Sequence, residues 1–176
     1  MALLSLNNIR QMTKADLDAV LAWRNHADVR RFMYTQHEIS KEEHVRWFDR
    51  ASMDPKRYLL IYQVGDSPQG FINLHEIGAG GIADWGFYAA PDAQRGTGAA
   101  MGSAALHYAF ETLKLHKLCG QAIGFNERSI HYHFKLGFLK EGVLQQQHFD
   151  GQNYHDVWCF GLLAETWQAH YLKDLS

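Results

Sequence analysis

The residues of this chain best suited to chemistry stand in two short runs. Asp84 to Ala100 reads as a strand, a turn and the glycine-rich start of a long helix, and it contains Arg95-Gly96-Thr97-Gly98-Ala99-Ala100. Small residues let a ligand come close to the backbone. The first turn of a helix offers unpaired N–H groups at its positive dipole end. The combination is a seat for phosphate. It is not a Walker loop, since no Lys-Ser/Thr pair follows Gly98. Nor is it the dinucleotide fingerprint, because Met101 stands where a third glycine is needed and the run lies in mid-chain. What it fits is R-x-x-G-x-A, through Arg95, Gly98 and Ala100.

The second run is Asn126-Glu127-Arg128-Ser129-Ile130-His131-Tyr132-His133-Phe134-Lys135-Leu136-Gly137-Phe138. In this order and spacing the two runs resemble the paired motifs of the GNAT acetyltransferases, R-x-x-G-x-[GA] and N-x-x-[SA]-I-x-x-Y-x-K-x-G-F. The resemblance implies acetyl-CoA as acetyl donor and no metal. It implies that the amides of Arg95, Gly96, Thr97, Gly98, Ala99 and Ala100 hold the pyrophosphate. The backbone of Phe87 and Tyr88 would bind the pantetheine arm where their strand splays from its neighbour, with one N–H facing the thioester carbonyl. Asn126 would reach the arm from the other side, with Ser129 nearby.

Acyl transfer to an amine needs a polarised carbonyl, a neutral and well-placed amine, and a proton for the leaving thiolate. The tyrosine that the family places in the second motif is replaced here by His133, and Tyr132 lies just before it. Either side chain can serve as the acid, and the sequence leaves the choice open. For the base, His75 and Glu76 end a strand bordering the acceptor site. Adjacent strand residues face opposite ways, so at most one of them points at the substrate. Asp84 is a third candidate.

The acceptor has to be read from the amino-terminal third. Trp23-Arg24-Asn25, Val29-Arg30, Phe32-Met33-Tyr34, Ser40, His44 and Trp47-Phe48 form a pattern similar to the branch that holds the ribosomal-protein N-terminal acetyltransferases. More closely it resembles the nucleotide-sugar N-acetyltransferases of pseudaminic acid synthesis, the pathway that supplies the sugar decorating flagellin. That likeness implies transfer to the C4 amine of UDP-4-amino-4,6-dideoxy-N-acetyl-β-L-altrosamine. Met33, Tyr34 and Trp47 could form the uracil slot, Arg24, Arg30 and His44 could face the diphosphate, and Trp85 could line the sugar. The rival readings are a protein N-terminal acetyltransferase, which would need a groove for an extended peptide, and a coenzyme-A-binding regulatory domain without chemistry.

Composition agrees with a small-molecule enzyme. The chain has 176 residues, 47% of them hydrophobic, and a formal net charge of −2. That length suits one domain with a full core, and the charge balance excludes nucleic acid as the main partner. No apolar run approaches the about 20 residues that cross a bilayer, and Met1 to Asn8 lacks the pattern of a secretory signal. The expected place is the cytoplasm, with Cys119 and Cys159 as buried free thiols. Eleven histidines tempt a metal reading. However, His131 and His133 diverge on a helix, and no H-E-x-x-H or paired-cysteine spacing exists. Two hairpin ends and an aromatic-rich surface suit a homodimer.

The elements that must position these residues follow from periodicity. Leu6 to Met12 reads as a strand. Thr13 with Asp16, and Ser40 with Glu43, read as capping boxes opening helices. A short helix is expected over Asp28 to Met33. Strands are expected over Tyr58 to Val64, Gly70 to Ile77, Ile82 to Tyr88 and Lys117 to Ile123, with a turn over Gly65 to Gln69. Helices are expected over Ala99 to Leu115, Asn126 to Leu136 and Ala164 to Leu172. Val143 to Phe149 and Tyr154 to Leu162 flank the hairpin signal Asp150-Gly151. The order β-α-α-α-β-β-β-α-β-α-β-β gives a single-domain α/β fold. The resemblance implies a mixed, mostly antiparallel sheet of about seven strands with helices on both faces.

Overall fold

Alternating apolar residues send the side chains of the strands Arg57–Val64 and Ser67–Glu76 to two different cores. The computed structural model, which describes residues 8–174, joins the strands into one sheet in the order β1-β2-β3-β4-β5-β7-β6. The strands are β1 (Ile9–Gln11), β2 (Arg57–Val64), β3 (Ser67–Glu76), β4 (Ile82–Ala89), β5 (Lys117–Ile123), β6 (Leu139–Phe149) and β7 (Tyr154–Leu163). The helices are α1 (Leu17–Asn25), α2 (Ala27–Arg30), α3 (Lys41–Ala51), α4 (Thr97–His107), α5 (Glu127–Lys135) and α6 (Ala164–Asp174). Every neighbouring pair is antiparallel except β4 with β5.

One face of the sheet carries Leu60, Ile72, Leu74, Trp85, Leu118, Phe160 and Leu162, which pack with Met101, Ala105 and Leu106 of α4, Ile130 of α5 and Trp167 of α6. The other carries Leu59, Ile61 and Phe71 against Leu17, Val20 and Trp23 of α1 and Phe48 and Ala51 of α3. The caps form as the sequence predicts. Thr13 and Asp16 make a reciprocal capping box, though it opens a short 3-10 turn before α1 rather than the helix itself. The Ser40 hydroxyl accepts from Glu43 N at the start of α3.

Several boundaries differ from the sequence expectation. The turn expected over Gly65 to Gln69 shrinks to two residues, with Gly65 at φ +59°. β3 therefore starts at Ser67, and Pro68 pairs with Gln63 beside a bulge. Pro68 is tolerated because β4 first pairs with β3 at Gly70, so no partner on that side needs its missing N–H. The short helix after α1 covers Ala27–Arg30 rather than Asp28 to Met33. The long helix ends early: Tyr108–Thr112 widen into a π turn, where Leu113 N donates to Tyr108 O five residues back. Of the strand expected from Leu6, the first two residues lie outside the described residues.

The feature that positions the site is where β4 and β5 stop pairing. Their parallel ladder holds only Ile82–Lys117, Ala83–Leu118 and Asp84–Cys119. Beyond it β5 continues with β7 as far as Ile123–Val157, while β4 continues with β3 as far as Ala89–Gly70. The two strands diverge from Trp85 onward, and a notch opens between them.

Candidate active site

The phosphate seat lies at the end of β4. Gly96 caps α4 in the left-handed region, at φ +91°, which glycine adopts without strain. No atom lies within 4 Å of where its Cβ would be, so the space above the cap is open. Ala100 N donates back to Gly96 O and Thr97 N to Gln94 O, while the amides of Gly98 and Ala99 stand in the first turn, where no helical carbonyl precedes them. Arg95 is exposed. An exposed guanidinium, a left-handed glycine and first-turn amides fit a pyrophosphate. The notch supplies the remaining requirement for acetyl-CoA. On β4, Phe87 and Tyr88 lie past the last β5 pair, so those of their backbone groups that point away from β3 face an open slot.

The far wall of the notch is α5, and several of its polar atoms are engaged within the protein. The Asn126 side chain accepts from Ser129 N at 3.1 Å and caps the helix. His133 is 1% exposed. Its Nε2 accepts from Trp85 Nε1 at 3.1 Å, which leaves Nδ1–H to donate to Ser129 O at 2.7 Å. Burial pushes the His133 pKa down, partly offset by the Ser129 carbonyl. The ring stacks on Phe160 at 4.5 Å. Gly120 of β5 makes this pairing possible, because a Cβ there would sit 2.4 Å from His133 Nε2 and 2.7 Å from Trp85 Nε1. Tyr132 donates its hydroxyl to Gly98 O at 2.6 Å, and burial raises its pKa.

These placements correct the sequence expectation in three respects. His133 occupies the family's tyrosine position, but neither ring nitrogen is free to hand a proton to a thiolate. Trp85 lies on the sheet face opposite the other acceptor candidates: it points into the α5 side, stacked near Phe138 at 5.2 Å. Glu76 likewise faces away, accepting from the Tyr58 hydroxyl at 2.9 Å, as strand alternation from His75 requires.

The opposite face of the sheet gathers the other candidates. His75 and Asp84 are cross-strand neighbours there, and His75 Nε2 lies 3.5 Å from Asp54. Asp84 is open to solvent, yet the neighbouring protein partly desolvates its carboxylate and raises its pKa, with the nearby His75 pulling it back. Arg24 Nη2 donates to Thr35 O at 3.0 Å, whereas Arg24 Nη1 is buried with no hydrogen-bond partner among the described residues. Desolvation lowers the Arg24 pKa, and the positive charge of Arg30 adds to that lowering, while Tyr88 and Glu43 oppose it. His44 is 4% exposed, and its Nε2 is also buried without a partner among the described residues. Burial depresses the His44 pKa and the charge of Arg24 depresses it further, while a hydrogen bond with the Leu17 backbone and the charge of Asp18 oppose them.

The aromatic candidates divide. Trp47 stacks on His44 at 5.1 Å and abuts Phe71, while Met33 is half-buried. Tyr34 instead reaches across to Gln121 Oε1 at 2.8 Å and abuts His148 at 5.5 Å. Arg30 lies 3.6 Å from Glu38. Sequence reasoning missed His148, whose buried Nε2 likewise has no partner among the described residues; a lone histidine in a long edge strand carries no motif. It also missed Gly102 and Gly120, since only the packed neighbours reveal why those positions lack a Cβ. Both cysteines are free and half-buried. No group of three or more His, Cys, Asp or Glu suited to a metal occurs among the described residues, and no described helix is long and apolar enough to cross a membrane.

A parallel strand pair that opens into a notch, with an amide cradle at its mouth, defines a coenzyme-A-dependent acyltransferase. The chain belongs to the GNAT acetyltransferases: the acetyltransferase (GNAT) domain model matches residues 8–139. It is an acetyl-CoA-dependent N-acetyltransferase. Among individual proteins it is similar to acetyltransferase PseH of Campylobacter jejuni serotype O:2, at 30% identity over 73% of this chain and 80% of that one. It is also similar to spermidine N(1)-acetyltransferase of Escherichia coli K12, at 26% identity over 85% and 81%. The crystal structure of spermidine N-acetyltransferase from Vibrio cholerae with CoA and spermine shares the fold, at TM-score 0.84 and 22% identity over 91% of this chain and 96% of that one.

Proposed function

We propose that the acceptor is the C4 amine of UDP-4-amino-4,6-dideoxy-N-acetyl-β-L-altrosamine, so that the protein is a cytoplasmic enzyme of pseudaminic acid synthesis and flagellin glycosylation. The observation that carries this reading is the buried, unpartnered guanidinium donor Arg24 Nη1, beside a buried His44 Nε2 that also lacks a partner among the described residues. A buried donor without a partner costs about 1–3 kcal/mol, more when charged. Such atoms are therefore expected to meet a partner in the working complex, and a diphosphate offers strong acceptors to a guanidinium. Arg30 lies close enough to add its charge. The same cluster disfavours a polycation such as spermidine, which would bring ammonium groups toward two arginines. Trp47 stacks on His44 in this cluster and is with Met33 a candidate for the uracil slot, with Tyr34 reaching over to β5 and β6.

Bound in the notch, acetyl-CoA supplies an activated acetyl group: the N–C bond forms as the C–S bond breaks, the amine gives up one proton, and the departing sulfur takes one from water. The backbone of Phe87 and Tyr88 orients the thioester. Asp84, at the last β4–β5 rung on the acceptor face, accepts the amine's proton directly or through water, and its raised pKa suits that task. His75 tunes Asp84 through its charge. His133 and Trp85 set the shape of the notch.

Calorimetric titration of UDP into the CoA-bound protein tests the acceptor assignment. Binding that is lost in both Arg24→Ala and His44→Ala supports it. UDP binding that survives both substitutions rejects it.

A further inference from the structure

We propose that Tyr132 is a positioning residue for the donor: its hydroxyl clamps α5 onto the first turn of α4 and so fixes the amide cradle relative to the notch. The inference rests on the acetyl-CoA reading of that cradle but not on the identity of the acceptor.

The Tyr132 hydroxyl spans 34 residues of sequence to donate to Gly98 O at 2.6 Å. Gly98 is the second residue of α4, inside the cradle itself. The contact is built into the sequence of α4. A Cβ at Gly102 would lie 2.3 Å from the Tyr132 oxygen, 3.0 Å from its Cζ and 2.9 Å from Leu136 Cδ1. Gly102 is buried in the middle of a helix, where glycine costs about 1 kcal/mol relative to alanine. The phenol explains why alanine is not there. At Gly98 a Cβ would meet the ring only at an ordinary 4.0 Å, so Gly102 is the position whose size the clamp dictates.

The ring also touches the other half of the donor site. It lies 4.9 Å from Phe87 and parallel to Trp85 at 6.4 Å, both on β4. One side chain thus joins the cradle, the strand that faces the pantetheine slot, and α5. A phenol whose single proton is given to a backbone carbonyl is not offering it to a leaving thiolate. Burial, which raises its pKa, keeps it a neutral donor across the working pH range.

A positioning role and an acid role predict opposite kinetics. If Tyr132 holds the cradle, Tyr132→Phe weakens CoA binding about tenfold, as expected for losing one buried hydrogen bond. The effect is read by calorimetry without acceptor and matched by a rise in KM for acetyl-CoA. The kcat at saturating acetyl-CoA changes by less than about threefold. Gly102→Ala displaces the same ring by another route and must raise the same KM. In Tyr132→Phe, amide exchange in the first turn of α4 quickens while that of β5 does not. A large fall in kcat with unchanged CoA affinity overturns the proposal, as does unchanged affinity in both variants. Wild-type protein that fails to bind CoA at all would instead reject the donor reading on which the clamp rests.

Discussion

The two walls of the cleft treat their buried polar atoms in opposite ways. On the α5 wall, Trp85, His133 and Tyr132 find all their partners within the protein, at 3.1, 2.7 and 2.6 Å, and glycines at 102 and 120 make room for them. On the acceptor face, Arg24, His44 and His148 each bury an atom with no partner among the described residues. A buried polar group that is satisfied internally is part of the scaffold, while one left open is a candidate for ligand. By that criterion His133, one of the two acid candidates in the sequence, belongs to the scaffold. Arg24 and His44 are the candidates for the proposed binding site.

Substitutions can break this contrast, and their effects should fall in a definite order. The largest is on the reaction itself. Asp84→Asn removes the proton acceptor and should lower kcat about a hundredfold or more, with acetyl-CoA KM little changed in steady-state kinetics. Next, Arg24→Ala should raise the KM for the nucleotide sugar on the order of 10–100-fold through the lost charged contact, again leaving acetyl-CoA KM alone. On the scaffold wall the effect should move from kinetics to stability. Gly120→Ala drives a methyl into the Trp85–His133 pair and should cost about 2–4 kcal/mol in urea unfolding, through overpacking and a lost buried hydrogen bond.

The smallest effect is a pH dependence shared by both walls. Burial lowers the folded-state pKa of His44 and His133, whereas an unfolded histidine titrates near about 6.5. Below that value the unfolded chain binds more protons than the folded one, so stability rises with pH and levels off above about 6.5. Unfolding free energy measured between about pH 5 and 7 should fall on acidification, and His133→Phe should flatten the slope by one histidine's share.

Much of the fold was legible because it is written locally. The caps at Thr13 and Ser40, the strand Lys117 to Ile123 and the glycine-rich start of α4 rest on residues a few positions apart. The donor cradle was legible for the same reason. The candidate acceptor cluster was only partly so, since Arg24, His44 and Trp47 come together through α1 and α3 packing on β3. The misplacements share one cause. Which face Glu76 or Trp85 presents depends on strand register, which only cross-strand pairing fixes. That His133 is saturated depends on Trp85, 48 residues away, and on a glycine in a third element. The early end of α4 reflects a π turn that carries no local signal.

The central claim is that the open acceptor face is built for a nucleotide-linked amine. Incubating the protein with acetyl-CoA and a panel of UDP-4-amino sugars, spermidine, amino-terminal peptides and aminoglycosides, while following thiol release, tests it most directly. The account predicts release with the UDP-4-amino sugar and little with the others. Release with spermidine or peptides, and none with the amino sugar, would contradict it.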